Sequence, residues 1–410
     1  MTRAQDIEII RDLAEQYVEI CHADGQQERR DLWRAHNSLV PTRPPIYVRA
    51  FAWREMPESR CQCKDPFFRH CEDFFRESLF RKTFNDDYIF EPWVTVHAAC
   101  VTPEGGLWGL EIGRIPSPDP RGAWKFDPPI VEPEDVSRLV KPHHIVDEQE
   151  TARRVSRLED AIGDLITVGL DRGPVYRMWD GDISTQLAYL RGLEQVMWDM
   201  MDRPAWLHEL LAFMRDGILQ THEEAEAAGD WTLCAHQNQA MPYAQELQDP
   251  RANSESVSRK ELWTYCASQE LAQVGPAMFD EFMLQYQIPI VENFGLVAYG
   301  CCEDLTHKIG VLRQIPNLRR IAVSPFADVA RCAEQIGTDY VLSYRPSPAD
   351  MVSYGFDPDR IRGILRRDLA ACAGCHVDIT LKDVETVQGD PKRVRRWVEI
   401  TRDVIEELGL

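Results

Sequence analysis

Between Ile46 and Leu381 the chain repeats one pattern: a short apolar run, then a helix-length segment with apolar residues every three or four positions. The runs are Ile46-Tyr47-Val48, residues 93–101, Pro174-Val175-Tyr176-Arg177-Met178-Trp179, and residues 231–235, 296–299, 318–323, 340–343 and 376–381. Eight short strands alternating with helices predict an α/β chain wound as a (β/α)8 TIM barrel, with its chemistry at the C-terminal ends of the strands. The helical stripes are clear in Val155, Leu158, Ile162, Leu165 and Ile166, and again in Leu207, Leu210, Leu211, Met214 and Ile218. Asp202-Arg203-Pro204 supplies a capping residue and a first-turn proline before the second stripe.

The rest reads as elaboration of one domain spanning 1–410. Ile7, Ile10, Leu13, Tyr17 and Ile20 predict an amphipathic helix within an N-terminal helical extension, residues 1–45. Residues 103–145 form a Pro/Gly-rich inserted arm, with a hairpin expected around Trp108-Gly109-Leu110-Glu111-Ile112. No repeat of 20–50 residues and no low-complexity tract interrupts the pattern.

Composition narrows the function classes. A net charge of −21 and a pI near 5.0 oppose phosphate backbones, so nucleic acid is not an expected partner. No apolar run approaches roughly 20 residues, and the charged start MTRAQDIEIIRD is not signal-like, so the expectation is a cytoplasmic protein off the membrane. Twelve cysteines in a chain this long do not form a small disulfide scaffold; they read as reduced thiols in a reducing, anaerobic cytoplasm.

The densest chemistry lies in Tyr299-Gly300-Cys301-Cys302-Glu303, at the end of an apolar run. Cys302 and Glu303, with His236 from Cys234-Ala235-His236 and Glu270 from Ala267-Ser268-Gln269-Glu270, are candidate ligands for zinc or another divalent metal, which accepts such N, S and O donors. Strand alternation points the two cysteines apart, which favours Cys302, beside the carboxylate, as the ligand. The competing reading packs Cys301 in the core and makes Glu303 a helix cap. Asp180, Arg345 and Lys382 stand at predicted strand ends as candidate acid–base or clamping groups, and Trp93, Trp179, Tyr243 and Arg49 as candidate substrate contacts. Cys61-Gln62-Cys63 with His70-Cys71 lacks finger spacing, and Cys372-Ala373-Gly374-Cys375-His376 runs into a buried strand where haem attachment would break the fold.

Gly192-Leu-Glu-Gln-Val-Met-Trp-Asp-Met-Met-Asp-Arg-Pro204, Gly300-Cys-Cys-Glu-Asp-Leu305, Ile321-Ala-Val-Ser-Pro-Phe-Ala-Asp328 and Tyr340-Val-Leu-Ser-Tyr-Arg345 resemble the helix pair and last barrel strands of the uroporphyrinogen decarboxylase superfamily. The resemblance runs from about residue 150 to the end and implies one distorted barrel with its site at the mouth. True decarboxylases carry an Arg-Gln-Ala-Gly-Arg pattern after the first strand. Here Val48-Arg49-Ala50-Phe51-Ala52-Trp53 offers only Arg49, too few cations for a many-carboxylate tetrapyrrole. The thiol-methylating branch uses a His-x-Cys pair and a later Cys for zinc; this chain has Cys301-Cys302-Glu303 and Lys382-Asp383 instead.

The branch that remains similar holds methyltransferase components of O-demethylases. It implies transfer of methyl from a small ether, a methoxylated aromatic among the candidates, to a corrinoid carried by a partner protein. Asp304-Leu305-Thr306-His307-Lys308-Ile309-Gly310 is one position out of step with a cobalamin-binding Asp-x-His-x-x-Gly pattern, so the corrinoid belongs on the partner. The mouth loops expected to meet that carrier are residues 103–142 and 237–253; a homodimer is also compatible. The alternatives are a metal-free decarboxylase of a small acid using Arg49, Arg345 and Asp180, and a non-catalytic corrinoid or tetrapyrrole binder.

Overall fold

The computed structural model describes residues 3–119 and 122–410; Pro120 and Arg121, in the inserted arm, lie outside the described residues. Ten strands form in chain order: β1 Ile46–Val48, β2 Trp93–His97, β3 Gly113–Ile115, β4 Lys125–Asp127, β5 Thr167–Asp171, β6 Trp263–Cys266, β7 Leu296–Tyr299, β8 Leu318–Val323, β9 Val341–Tyr344 and β10 His376–Leu381. Six of them make a parallel sheet in the order β1-β10-β9-β8-β7-β6, curled into a half-barrel. β2 and β5 form a separate parallel pair, and β3 with β4 an antiparallel hairpin in the arm. The six strands of the main sheet are short and largely buried, as expected where helices cover the outer face, whereas β2 has one buried residue of five.

Among the described residues the eight parallel strands are not joined into one hydrogen-bonded ring. Side chains occupy the two seams. At β1 the Ile46 and Val48 amides donate to the Asp87 and Asp86 carboxylates, each at 2.8 Å. At β5 Asn253 takes both roles, donating to the Val168 carbonyl at 2.8 Å and accepting from the Leu170 amide at 3.2 Å. Strand edges left without neighbours are thereby satisfied by single residues.

Two predicted strands are corrected. Residues 174–179 bend into a single 3-10 turn at Met178–Asp180, and the strand is β5, which ends at Asp171, three residues before Pro174. Its signal was masked because Ile166 continues the preceding helical stripe and Gly169 weakens the strand pattern. That glycine is needed where Ala252 crosses, since a Cβ there would meet the Ala252 methyl at 3.1 Å. Residues 231–235 are buried but irregular, and β6 is the strand that sequence periodicity missed. The strand at 93–101 stops at His97. Asp202 ends the helix Leu193–Asp202, and Arg203 takes the cap position of Pro204–Ala228 without a side-chain bond.

The N-terminal extension forms α1, Arg3–Cys21, and α2, Gln26–Asn37. α2 closes the N-terminal end of the half-barrel. Its His36 Nε2 lies 3.3 Å from Asp378, which pairs with Arg320 at 2.7 Å and accepts from Ser343 and Thr380 at 3.0 Å. These charges are almost wholly enclosed, and Arg320 holds the Asp378 carboxyl below the usual range against the opposing effect of burial.

Candidate active site

Along β10, Asp378, Thr380 and Lys382 share one face by alternation, and Lys382 is the last of them, just past the strand's C-terminal end. β9 likewise delivers Arg345 one residue beyond its end, its amide tied to the Val323 carbonyl at 3.0 Å. β7 ends at Tyr299, and Gly300 then turns with φ of 98° while donating to the Cys266 carbonyl at 2.9 Å. A Cβ on Gly300 would strike Leu305 at 2.6 Å, so the bend requires glycine. The bend breaks strand alternation and corrects the expectation that the cysteines point apart. Cys301 and Cys302 lie with sulfurs 3.6 Å apart, and the Lys382 ammonium donates to both, at 3.1 and 3.2 Å.

The electrostatics follow from that contact. The Cys302 thiol donating to the Cys301 sulfur, then Arg345 and Lys382, bring Cys301 down to about 4 despite its burial, while Cys302 is pushed up by the same sharing. Lys382 and Arg345 thereby favour a single negative charge shared by the pair. Arg345 donates to the Cys301 carbonyl at 2.8 Å, yet its buried Nε has no partner. The Tyr265 hydroxyl, packed in the same inner cluster as Cys301, is also buried and unpartnered. Asp383, 2.9 Å from Lys382, and Met178 both sit at positive φ, 56° and 53°, so strained backbone frames the site.

Trp179 packs against this cluster, 5.8 Å from Tyr265, and Arg49 lies over its ring at 5.5 Å with no hydrogen bond from its guanidinium among the described residues. Arg49 reaches the mouth because its amide bonds the Leu381 carbonyl at 2.8 Å. Of the predicted residues, the structure thus gathers Cys302, Lys382, Arg345, Trp179 and Arg49. On the other flank, Cys302, Glu303 and Glu270 line a cavity of about 470 Å³, with Phe326 on its rim 78% exposed.

Glu303 is buried and raised by that burial, and each oxygen takes a backbone amide: Ser268 at 3.0 Å and Cys301 at 2.7 Å. It aims the cysteine loop. Glu270 accepts from Ser184 at 2.7 Å and Thr185 at 3.0 Å. The same Thr185 hydroxyl lies 2.9 Å from Asp182, a residue the sequence reading passed over. Asp182 is fully enclosed and raised well above the carboxylate range by burial and then by Glu270. Asp180 accepts from Gln186 at 2.9 Å and is raised by burial.

Three expectations are misplaced. His236 sits at the N-terminal end of β6, where Nδ1 accepts from the Trp263 amide at 3.2 Å and burial lowers it to about 4. Tyr243, on the loop 237–253, donates to Glu91 at 2.6 Å and accepts from Arg30 at 3.0 Å; α2 anchors that loop through Asn37. That loop therefore belongs to the closed end, not the mouth. Trp93 opens onto a different cavity, of about 950 Å³, between β2 and the helices Pro66–Arg81 and Glu148–Ile162. Zinc does not fit the donors expected for it. Glu303 is spent on amides, His236 is at the far end, Lys382 caps both sulfurs, and no group of three His, Cys, Asp or Glu stands close enough for a metal among the described residues.

The sequence matches no family model and no curated protein. In structure the chain is similar to a methyltransferase from Methanosarcina mazei, with a TM-score of 0.50 and 12% identity over 93% of this chain and 98% of that one. That likeness is one of overall fold.

Proposed function

We propose that this chain is a methyltransferase of the uroporphyrinogen decarboxylase superfamily, built on a split eight-stranded barrel, that moves a methyl group from a small ether to a corrinoid on a partner protein. The observation that carries the reading is Lys382 seated between two sulfurs at the strand ends, beside the partly unpartnered Arg345. Breaking a methyl–oxygen bond leaves charge on a poor leaving group, and a buried ammonium and guanidinium supply proton and field where it develops. Trp179 under Arg49 offers a flat, cationic wall for an aromatic ether. Phe326 and Tyr354, 78% and 68% exposed, follow β8 and β9 and give the mouth an apolar rim for a docking carrier. No helix among the described residues is long and apolar enough to cross a membrane, and we place the reaction in the cytoplasm.

The test incubates the chain with cob(I)alamin and a panel of methoxyphenols, methoxybenzoates and alkyl methyl ethers, following the cobalt spectrum. Methylated corrinoid formed from at least one donor is the expected result; none from any donor rejects the reading. The unpartnered Arg345 Nε and the free Arg49 also suit decarboxylation of a small acid, which predicts carbon dioxide release with no corrinoid present.

A further inference from the structure

Resting on the methyl-transfer reading, we propose that the methyl group crosses the site in two displacements, carried in between by the sulfur of Cys302 as S-methylcysteine. Four features of the site lead there. Cys302 is the half-buried member of the pair and lines the cavity of about 470 Å³, whereas Cys301 is 4% exposed and packs with Tyr265 inside the barrel. The Lys382 ammonium stands 3.1 Å from one sulfur and 3.2 Å from the other, so whichever sulfur carries the negative charge keeps a cation beside it. The sulfurs touch at 3.6 Å, which makes Cys301 the base for the Cys302 proton. Finally, the Cys301 amide and the loop behind it are fixed by Glu303 and Arg345, so the pair is held rather than mobile.

The steps balance. The Cys302 proton passes to the Cys301 thiolate as the Cys302 sulfur attacks the methyl carbon; the carbon–oxygen bond breaks and its electron pair stays on oxygen, which takes a proton from Lys382. The acceptor, a Co(I) corrinoid, then attacks the same methyl carbon. The carbon–sulfur bond breaks with its pair returning to Cys302 while cobalt goes formally from Co(I) to Co(III); Cys301 then returns its proton to Cys302, and Lys382 regains a proton from solvent. The features that make the pair a stable thiolate also make it a good leaving group in the second displacement. Direct transfer would need donor and cobalt aligned on opposite sides of one carbon, inside one pocket; a relay lets them visit in turn.

The experiment uses whichever donor from the panel above methylates cob(I)alamin, with its methyl group made chiral by hydrogen isotopes. Two displacements give net retention in the methylated corrinoid, and one displacement gives inversion. In parallel, the wild-type chain is mixed with that donor without corrinoid, quenched and digested; the relay predicts one added methylene on the Cys301-Cys302 peptide, localised to Cys302 and absent in Cys302→Ser. Inversion, or an unmodified peptide from a chain that turns the donor over, overturns the relay and leaves the methyltransferase reading standing. If no donor is turned over, both fall together.

Discussion

Asp378 and Lys382 lie on the same face of β10, roughly 13 Å apart by strand rise, yet they belong to different kinds of site. At the closed end every oxygen of Asp378 has a partner among Arg320, Ser343, Thr380 and His36, although the Arg320 Nε and the His236 Nε2 at that end have none. At the open end, Lys382 holds two sulfurs while the Arg345 Nε and the Tyr265 hydroxyl beside it have no partner. Buried polar groups left unsatisfied cost free energy, and at the open end two of them stand beside a cysteine pair that a ligand can reach through Cys302. On the methyl-transfer reading proposed above, charge at the closed end serves stability, and charge at the open end serves chemistry.

Removing Asp378 tests the first half most severely. Asp378→Ala strands the Arg320 guanidinium in the interior and should cost about 3–5 kcal/mol in denaturant unfolding. A loss under about 1 kcal/mol would erase the distinction between the two ends. Lys382→Met should instead change ionisation. In the wild type, alkylation of the cysteine pair by iodoacetamide should be flat from about pH 5 to about pH 8, because its thiolate exists above a pKa of about 4. In the variant the rate should climb with pH toward the ordinary thiol range, about 8.5. A wild-type profile that already climbs would mean that Lys382 and Arg345 do not hold a thiolate.

Glu303→Gln keeps the shape of the loop anchor but has one acceptor oxygen for two backbone amides, so one bond is lost and two donors face each other, at a cost of about 1–3 kcal/mol and a partial loss of turnover. The smallest effect belongs to the closed end: Tyr243→Phe should cost about 1 kcal/mol or less and leave turnover per folded molecule unchanged. A large loss of activity there would move the site to the loop 237–253.

The parallel α/β order of the second half was legible because short apolar runs mark β7, β8, β9 and β10 directly. β5 and β6 were not, since Gly169 and the buried but irregular 231–235 gave a weaker and a false signal. Cys302, Arg345 and Lys382 were found because each follows a recognisable strand. His236 and Tyr243 were misplaced because the strand assigned before them does not exist, which turned the loop 237–253 toward the wrong end. Tyr265 was invisible with β6. The pairing of Cys301 with Cys302 depends on the left-handed turn at Gly300, which periodicity cannot show.

The most direct measurement compares wild type and Lys382→Met for methyl transfer to cob(I)alamin in the presence of a metal chelator, at matched unfolding midpoints. Wild type should remain active in chelator, and the variant should lose about 10²-fold or more, the scale of a positioned proton donor. A variant that keeps wild-type turnover, or a wild type silenced by the chelator, would contradict the lysine–dithiol centre.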